Sequence, residues 1–166
     1  MLLLICIDKG EQMHITRYTD YSLRVLMYLA VNQERLSTIN EIAQSYAISK
    51  NHLMKIVQQL NVKGYLLAIR GKNGGIKLNR SPNDINIGEL VREIEDKNKL
   101  VECFGDNNQC VITPSCQLKG IFAQAQESFF QVLDKYTLQD LAGVNARHAL
   151  GEILISDASG PNLPSQ

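Results

Sequence analysis

A chain of 166 residues is long enough for one compact domain, or for a small domain with an appendage. Its 45% apolar content supports a real core, while the lack of Trp and the 6% aromatic content argue against a stacking surface for single-stranded nucleic acid. The 17 basic and 17 acidic residues cancel, so net charge neither favours nor excludes a nucleic-acid partner.

The distribution of charge says more. Lys50, Lys55, Lys63, Arg70, Lys72, Lys77 and Arg80 fall between Ile42 and Asn83, a window with no Asp or Glu. Acids then crowd in at Asp84, Glu89, Glu93, Glu95, Asp96 and Glu102. A basic segment beside an acidic one reads as a local DNA-binding surface, against the plainer reading of a solvated basic face.

Met1–Ile7 is apolar but far shorter than the roughly 20 residues that span a bilayer. It also lacks the basic start and small-residue cleavage site of a signal peptide. Residues 1–12 are therefore expected to be an extension outside the fold. No other stretch is apolar enough to cross a membrane. The default expectation is a cytoplasmic protein, in which free thiols or metal sites outrank disulfides.

Thr19-Asp20 precedes an apolar stripe of Leu23, Leu26, Met27 and Ala30 and predicts an amphipathic helix capped by one of the two. Thr38-Ile39-Asn40-Glu41 is a capping box that opens a second helix, with Ile39, Ile42 and Ala43 inward, ending near Tyr46-Ala47-Ile48. Ser49 caps a third, with Leu53, Ile56, Val57 and Leu60 buried and Gly64 placed to end it. Two short helices around a tight turn, the second polar and basic, form a helix-turn-helix pattern, although paired short helices are common in bundles. Tyr65–Arg70 then predicts a strand, Gly71-Lys72-Asn73-Gly74-Gly75 a turn and Ile76–Leu78 the return strand. A hairpin directly after such a helix is a wing, and its basic tip raises the weight of the DNA reading over that of an ordinary surface hairpin.

Asn86-Ile87-Gly88-Glu89 starts a fourth helix with Leu90, Val91 and Ile94 inward. A polar loop carries Cys103, Cys110 and Cys116, spaced C-x6-C-x5-C. Leu118, Ile121, Phe122, Ala125, Phe129, Val132, Leu133 and Tyr136 then keep helical spacing. So long an apolar helix beyond a small domain needs a partner surface, and a symmetric second subunit is the commonest supply. Thr137-Leu138-Gln139-Asp140 opens a short final turn.

The sequence thus predicts a mainly α chain: a winged helix-turn-helix DNA-binding domain over 13–95, a metal- or cluster-binding loop over 96–115, a dimerisation helix and short final helix over 116–142, and a tail over 143–166. In this arrangement Ser49, Lys50, Asn51, His52, Lys55, Arg70 and Lys72 meet double-stranded DNA at a pseudo-palindromic operator. Asn51 and His52 lie where base edges are met, and Asn suits adenine. Lys50, Lys55 and Lys72 neutralise phosphates, and Arg70 probes the minor groove.

The three clustered cysteines lie outside any apolar stripe. Thiolates suit zinc, copper(I) and iron–sulfur clusters, but the spacing matches neither the tight pairs of structural zinc sites nor the ferredoxin runs. A thiol redox switch and plain surface thiols stay open. Asp20, Glu102, Asp106, His14 and His148 are all candidates for a fourth ligand. There is no P-loop, dinucleotide fingerprint, zinc-protease motif or nucleophile elbow, and the sequence gives no reason to expect an enzyme.

Taken together, Thr19-Asp20-Tyr21-Ser22-Leu23-Arg24, Ser49-Lys50-Asn51-His52-Leu53-Met54-Lys55, Arg70-Gly71-Lys72-Asn73-Gly74-Gly75 and Cys110-Val111-Ile112-Thr113-Pro114-Ser115-Cys116 resemble the Rrf family of winged-helix regulators, over about residues 13–142. The resemblance is closest to its nitric-oxide-sensitive repressors. It implies a homodimer crossed by long helices and an iron–sulfur cluster on Cys103, Cys110 and Cys116, with 4Fe–4S favoured over 2Fe–2S. It also implies Asp20 as the fourth ligand, supplied by the other subunit, and nitric oxide as the signal that ends operator binding. Another branch of the family uses a histidine just after the last cysteine; here Gln117-Leu118-Lys119 stands instead. The rival readings are a regulator of the same fold that responds to cluster supply or redox state, a zinc or thiol interaction module, and an iron–sulfur electron carrier.

Overall fold

Thr16 opens the first helix. The computed structural model describes residues 15–95 and 100–143. The expected extension over 1–12, nearly all of the tail over 143–166, Cys6, His14 and His148 lie outside the described residues, as do residues 96–99 of the loop.

Helix α1 spans Arg17–Val31, and the Thr16 hydroxyl accepts the Thr19 N–H at 3.3 Å. The cap is therefore three residues earlier than Thr19 and four earlier than Asp20, the two expected positions. The cause is remote in sequence. Glu95 Oε1 accepts the Thr16 N–H at 2.9 Å, the Thr16 hydroxyl at 2.7 Å and the Thr19 hydroxyl at 2.5 Å. Thr19 is fully buried inside the first turn, and Asp20 follows it there. An acidic group at a helix N-terminus also meets the positive end of the helix dipole.

Helix α2 covers Ile39–Ser45 and α3 covers Lys50–Val62. The Thr38–Glu41 capping box is present as expected, with the Glu41 carboxylate accepting the Thr38 N–H at 2.5 Å. Both helices end in the same way. After α2, Ile48 N–H reaches Ala43 O at 3.0 Å and Ala47 N–H reaches Gln44 O at 3.2 Å. After α3, Tyr65 N–H reaches Leu60 O at 2.9 Å and Gly64 N–H reaches Asn61 O at 3.0 Å. This Schellman arrangement needs a left-handed residue at its corner, which is Ala47 at φ 51° in one case and Gly64 at φ 75° in the other.

Strands β1 (Leu66–Ile69) and β2 (Gly75–Leu78) pair antiparallel, with Leu66 opposite Leu78 and Ile69 opposite Gly75. Ser37 extends this hairpin by exchanging two backbone bonds with Ile76, at 2.7 and 3.0 Å. A short helical turn at Pro82–Asp84 leads into α4, Ile87–Glu95, where Asn86 Oδ1 accepts the Glu89 N–H at 3.0 Å.

The core gathers Val25, Leu26 and Leu29 of α1 with Ile42, Leu53, Ile56, Leu60, Leu66, Ile76, Leu90 and Val91. Helix α5 spans Gln117–Leu133 and has no buried residue. It ends three residues before the last member of the expected stripe, Tyr136, because the chain turns back to the first body there. Ile87 N–H bonds Tyr136 O at 3.0 Å, Asn86 Nδ2 bonds Asp134 O at 2.7 Å, and the Arg92 guanidinium grips both Asp134 oxygens at 2.5 and 2.7 Å. Helix α6, Leu138–Ala142, then inserts Leu138 and Ala142 fully into the core beside α1. The expected grouping of α6 with α5 followed chain order, but burial joins it to the 17–95 body.

Candidate nucleic-acid interface and thiol loop

Helix α3 presents two faces. Leu53, Ile56, Val57 and Leu60 anchor one to the core, which leaves Lys50, Asn51, His52, Lys55 and Gln58 exposed on the rest. Ser49 stands at the cap position, and its carbonyl accepts the N–H groups of His52 and Leu53; its side chain makes no capping bond. Asn61 Oδ1 accepts the Ala68 N–H at 3.1 Å, which ties the end of α3 to the hairpin. Beyond that tie Arg70 and Lys72 stand exposed at the wing tip.

The basic window divides in two. Lys63 pairs with Glu93 at 2.7 Å, and Arg80 bonds the Gly64 and Lys63 carbonyls at 3.1 Å while its guanidinium lies 4.5 Å from the Tyr65 ring centre. Lys63 ties the hairpin base to α4, and Arg80 clasps the turn between α3 and β1. Lys50, Lys55, Arg70, Lys72 and Lys77 are exposed and make no ion pair among the described residues. Lys77 was absent from the expected contacts. The strand alternation that buries Ile76 could have found it, because it turns the neighbouring side chain outward.

Partial burial alone would raise the Glu93 carboxyl, but the bonds from Lys63 and from the Tyr65 hydroxyl (2.6 Å) outweigh it and hold the group below its ordinary range. Burial and the same carboxylate push the Tyr65 hydroxyl well up.

The three expected ligand cysteines occupy one loop. Cys103 lies in a helical turn over Glu102–Phe104, Cys110 follows, and Cys116 stands at the N-cap of α5 after a turn over Thr113–Ser115. All three are free thiols and partly exposed. Among the described residues no group of three His, Cys, Asp or Glu side chains is close enough to hold a metal ion, so Cys103, Cys110 and Cys116 are not gathered as a set of three, with or without Asp20. The donor set still fits a thiolate-ligated centre: three unpaired thiols, none locked in a disulfide, lie in a loop whose described residues include no buried side chain. Asp20 faces Arg24 instead, in a two-point ion pair at 2.9 and 3.0 Å.

Residues 15–143 match the family model Rrf2, described as an iron-dependent transcriptional regulator. The chain is 54% identical over 131 residues to the HTH-type transcriptional regulator NsrR of Bacillus subtilis, covering 78% of this chain and 90% of that protein. It is 53% identical over 131 residues to the protein of the same name from Bacillus licheniformis, covering 78% and 92%. The solved structure of CymR, the global cysteine regulator of B. subtilis, is similar with a TM-score of 0.62 at 26% identity, over 79% of this chain and 97% of that one. The IscR of T. potens is similar in fold, with a TM-score of 0.61 at 22% identity, over 93% and 94%. A helix-turn-helix with a basic wing, the match over nearly all of the described residues and relatives that are regulators rather than enzymes agree: the chain belongs to the Rrf2 family of winged-helix transcriptional regulators.

Proposed function

We propose that two copies of this chain form a repressor that binds a pseudo-palindromic operator and releases it when nitric oxide reaches an iron–sulfur cluster on Cys103, Cys110 and Cys116. One observation carries the reading: five exposed cations without acidic partners lie on α3 and the hairpin, and α4 joins that unit to a loop of three free thiols. Kinship with proteins named NsrR and the absence of a histidine at Gln117-Leu118-Lys119 support nitric oxide over cluster supply as the signal.

In the dimer the two α3 helices enter successive major grooves, roughly 34–36 Å apart. Asn51 and His52 meet base edges, Ser49 and Lys50 flank them, Lys55 and Lys72 neutralise phosphates, and Arg70 enters the minor groove. The exposed apolar face of α5 packs on its twin. Cys103, Cys110 and Cys116 would hold the cluster, in the favoured 4Fe–4S form, with Asp20 of the second copy as fourth ligand; Asp20 must exchange its Arg24 pair to serve. When bound, the cluster supplies iron that reacts with nitric oxide. Linkage then requires that the loop arrangement which holds it be the one compatible with DNA binding. No helix of the described residues is long and apolar enough to cross a membrane, and a regulator of chromosomal genes works in the cytoplasm.

The test is the visible spectrum of anaerobically purified protein before and after stoichiometric nitric oxide, with iron and sulfide counted and promoter binding followed in parallel. A brown protein that turns to a nitrosyl spectrum and releases DNA is the expected result. A protein colourless even after reconstitution, or one that keeps its DNA grip after nitric oxide, overturns the mechanism. Cys110→Ala is expected to be colourless with weak, unspecific DNA binding; tight specific binding by that variant would remove the cluster as the switch.

A further inference from the structure

Cys110 sits inside a closed ring of hydrogen bonds. Its N–H donates to Asn108 Oδ1 at 3.0 Å, Asn108 Nδ2 donates to Thr113 Oγ1 at 2.9 Å, and Thr113 Oγ1 donates to Cys110 O at 2.8 Å. Thr113 N–H bonds the same carbonyl at 3.2 Å. The directions are mutually consistent. The single hydroxyl proton is committed to Cys110 O, so Asn108 must donate to the hydroxyl, and its oxygen is left to accept from Cys110. Both backbone polar groups of Cys110 are held, and its thiol is untouched.

The ring reaches the other two cysteines. Glu102, next to Cys103, accepts the Gln109 N–H at 2.8 Å, and Thr113 O accepts the Cys116 N–H at 3.4 Å. The two helical turns of this loop bury no residue, so the network does not prop up the core. Its effect is confined to where the cysteine backbone sits.

We infer that Asn108 and Thr113 are positioning residues that fix the turn around Cys110, so that bringing the three thiolates together on a cluster moves the segments between the cysteines and leaves this turn ordered, with Glu102 bracing the segment between Cys103 and Cys110. The inference rests on the cluster reading above. An ordered ligand backbone loses less conformational freedom when it is loaded, and so holds its group longer. Neither residue donates to the metal; each acts through Cys110.

Two measurements test it. In cluster-free protein, hydrogen exchange at the Cys110 amide is expected to be slowed, and Asn108→Ala to release it. In reconstituted protein, loss of the visible cluster absorbance to an added chelator is expected to run about fivefold faster in Asn108→Ala and in Thr113→Val, the factor that one net hydrogen bond corresponds to. Thr113→Ser, which keeps the hydroxyl, is expected to restore the wild-type rate, with the thermal midpoint unchanged throughout. A Cys110 amide that exchanges at the open-chain rate in the wild type would dismiss the ring. Wild-type loading with variants that decay no faster, or Thr113→Ser decaying like Thr113→Val, overturns the inference alone. A wild type that takes up no cluster overturns it together with the reading beneath it.

Discussion

Ala47 holds a backbone angle of φ 51° that side-chain-bearing residues avoid, at the corner between α2 and α3. The left-handed conformation costs an L-residue about 1–2 kcal/mol. Glycine would remove that cost and return about half of it as unfolded-chain entropy. Ala47→Gly is therefore expected to stabilise the protein by about 0.5–1 kcal/mol in urea unfolding. Gly64 supplies the mirror experiment, since a Cβ there would meet Arg80 Nη2 at an ordinary 3.6 Å and nothing closer. Gly64→Ala is expected to lose about 1 kcal/mol, all of it conformational; opposite signs for the two substitutions are the check. The ending of α3 was legible because glycine announces a helix end. The ending of α2 was placed correctly with no such marker, since the apolar period runs out there. The strain on Ala47 was not legible, because a residue name does not carry its φ.

Local signals and remote ones compete in setting element boundaries. The Thr38–Glu41 box lies within four residues, and the expected helix start was the observed one. The start of α1 was misplaced because its determinant, Glu95, lies 79 residues from Thr16 and shows no local sign. A second remote carboxylate, Glu93, binds Lys63 and Tyr65 and so fastens α4 to the hairpin base. Its carboxyl is held below the ordinary range in the folded protein. A depressed acid stabilises the fold at pH above the unfolded carboxyl range, and that contribution is lost as pH falls through the folded value. Unfolding free energy is expected to decline in that acidic window, and Glu93→Gln to flatten the decline; an unchanged acid limb would show that the contact is inert. In the proposed DNA complex, the wing and α3 act as one charged unit. Arg70→Ala is expected to weaken operator binding while the cluster spectrum stays intact. Lys55→Ala is expected to lower the slope of log affinity against log salt by about 1.8, one phosphate contact in each half-site of the proposed dimer. A slope that does not move would take Lys55 off the DNA backbone.

Helix α5 has no buried residue, yet Ile121 is 61% and Val132 53% exposed, alongside Leu118, Phe122 and Phe129. A run of apolar side chains this long left in water favours association. In the proposed symmetric dimer, each substitution on this face acts twice. Ile121→Glu is expected to give a monomer in sedimentation at concentrations where the wild type is a dimer, with loss of operator affinity because one half-site is no longer held by the other. A variant that remains dimeric would place the interface elsewhere.

Periodicity, caps and turn residues are short-range signals, so the helix-turn-helix, the wing, the α5 stripe and the three-cysteine loop could all be read from the chain, along with the basic window proposed to face DNA. Long-range contacts sorted the rest. Lys63 and Arg80 look like Lys55 and Arg70 in the sequence, and only the approach of Glu93 and Tyr65 turns them from exposed cations without an acidic partner into fasteners. Leu138 and Ala142 follow the long helix, yet the Arg92–Asp134 grip brings the chain back and buries them beside α1. Asp20 reads as a cap until Glu95 moves the helix start and Arg24 takes its carboxylate. Each of these depends on which distant group arrives, and that depends on the free energy of packing the whole body, which no local window of residues contains.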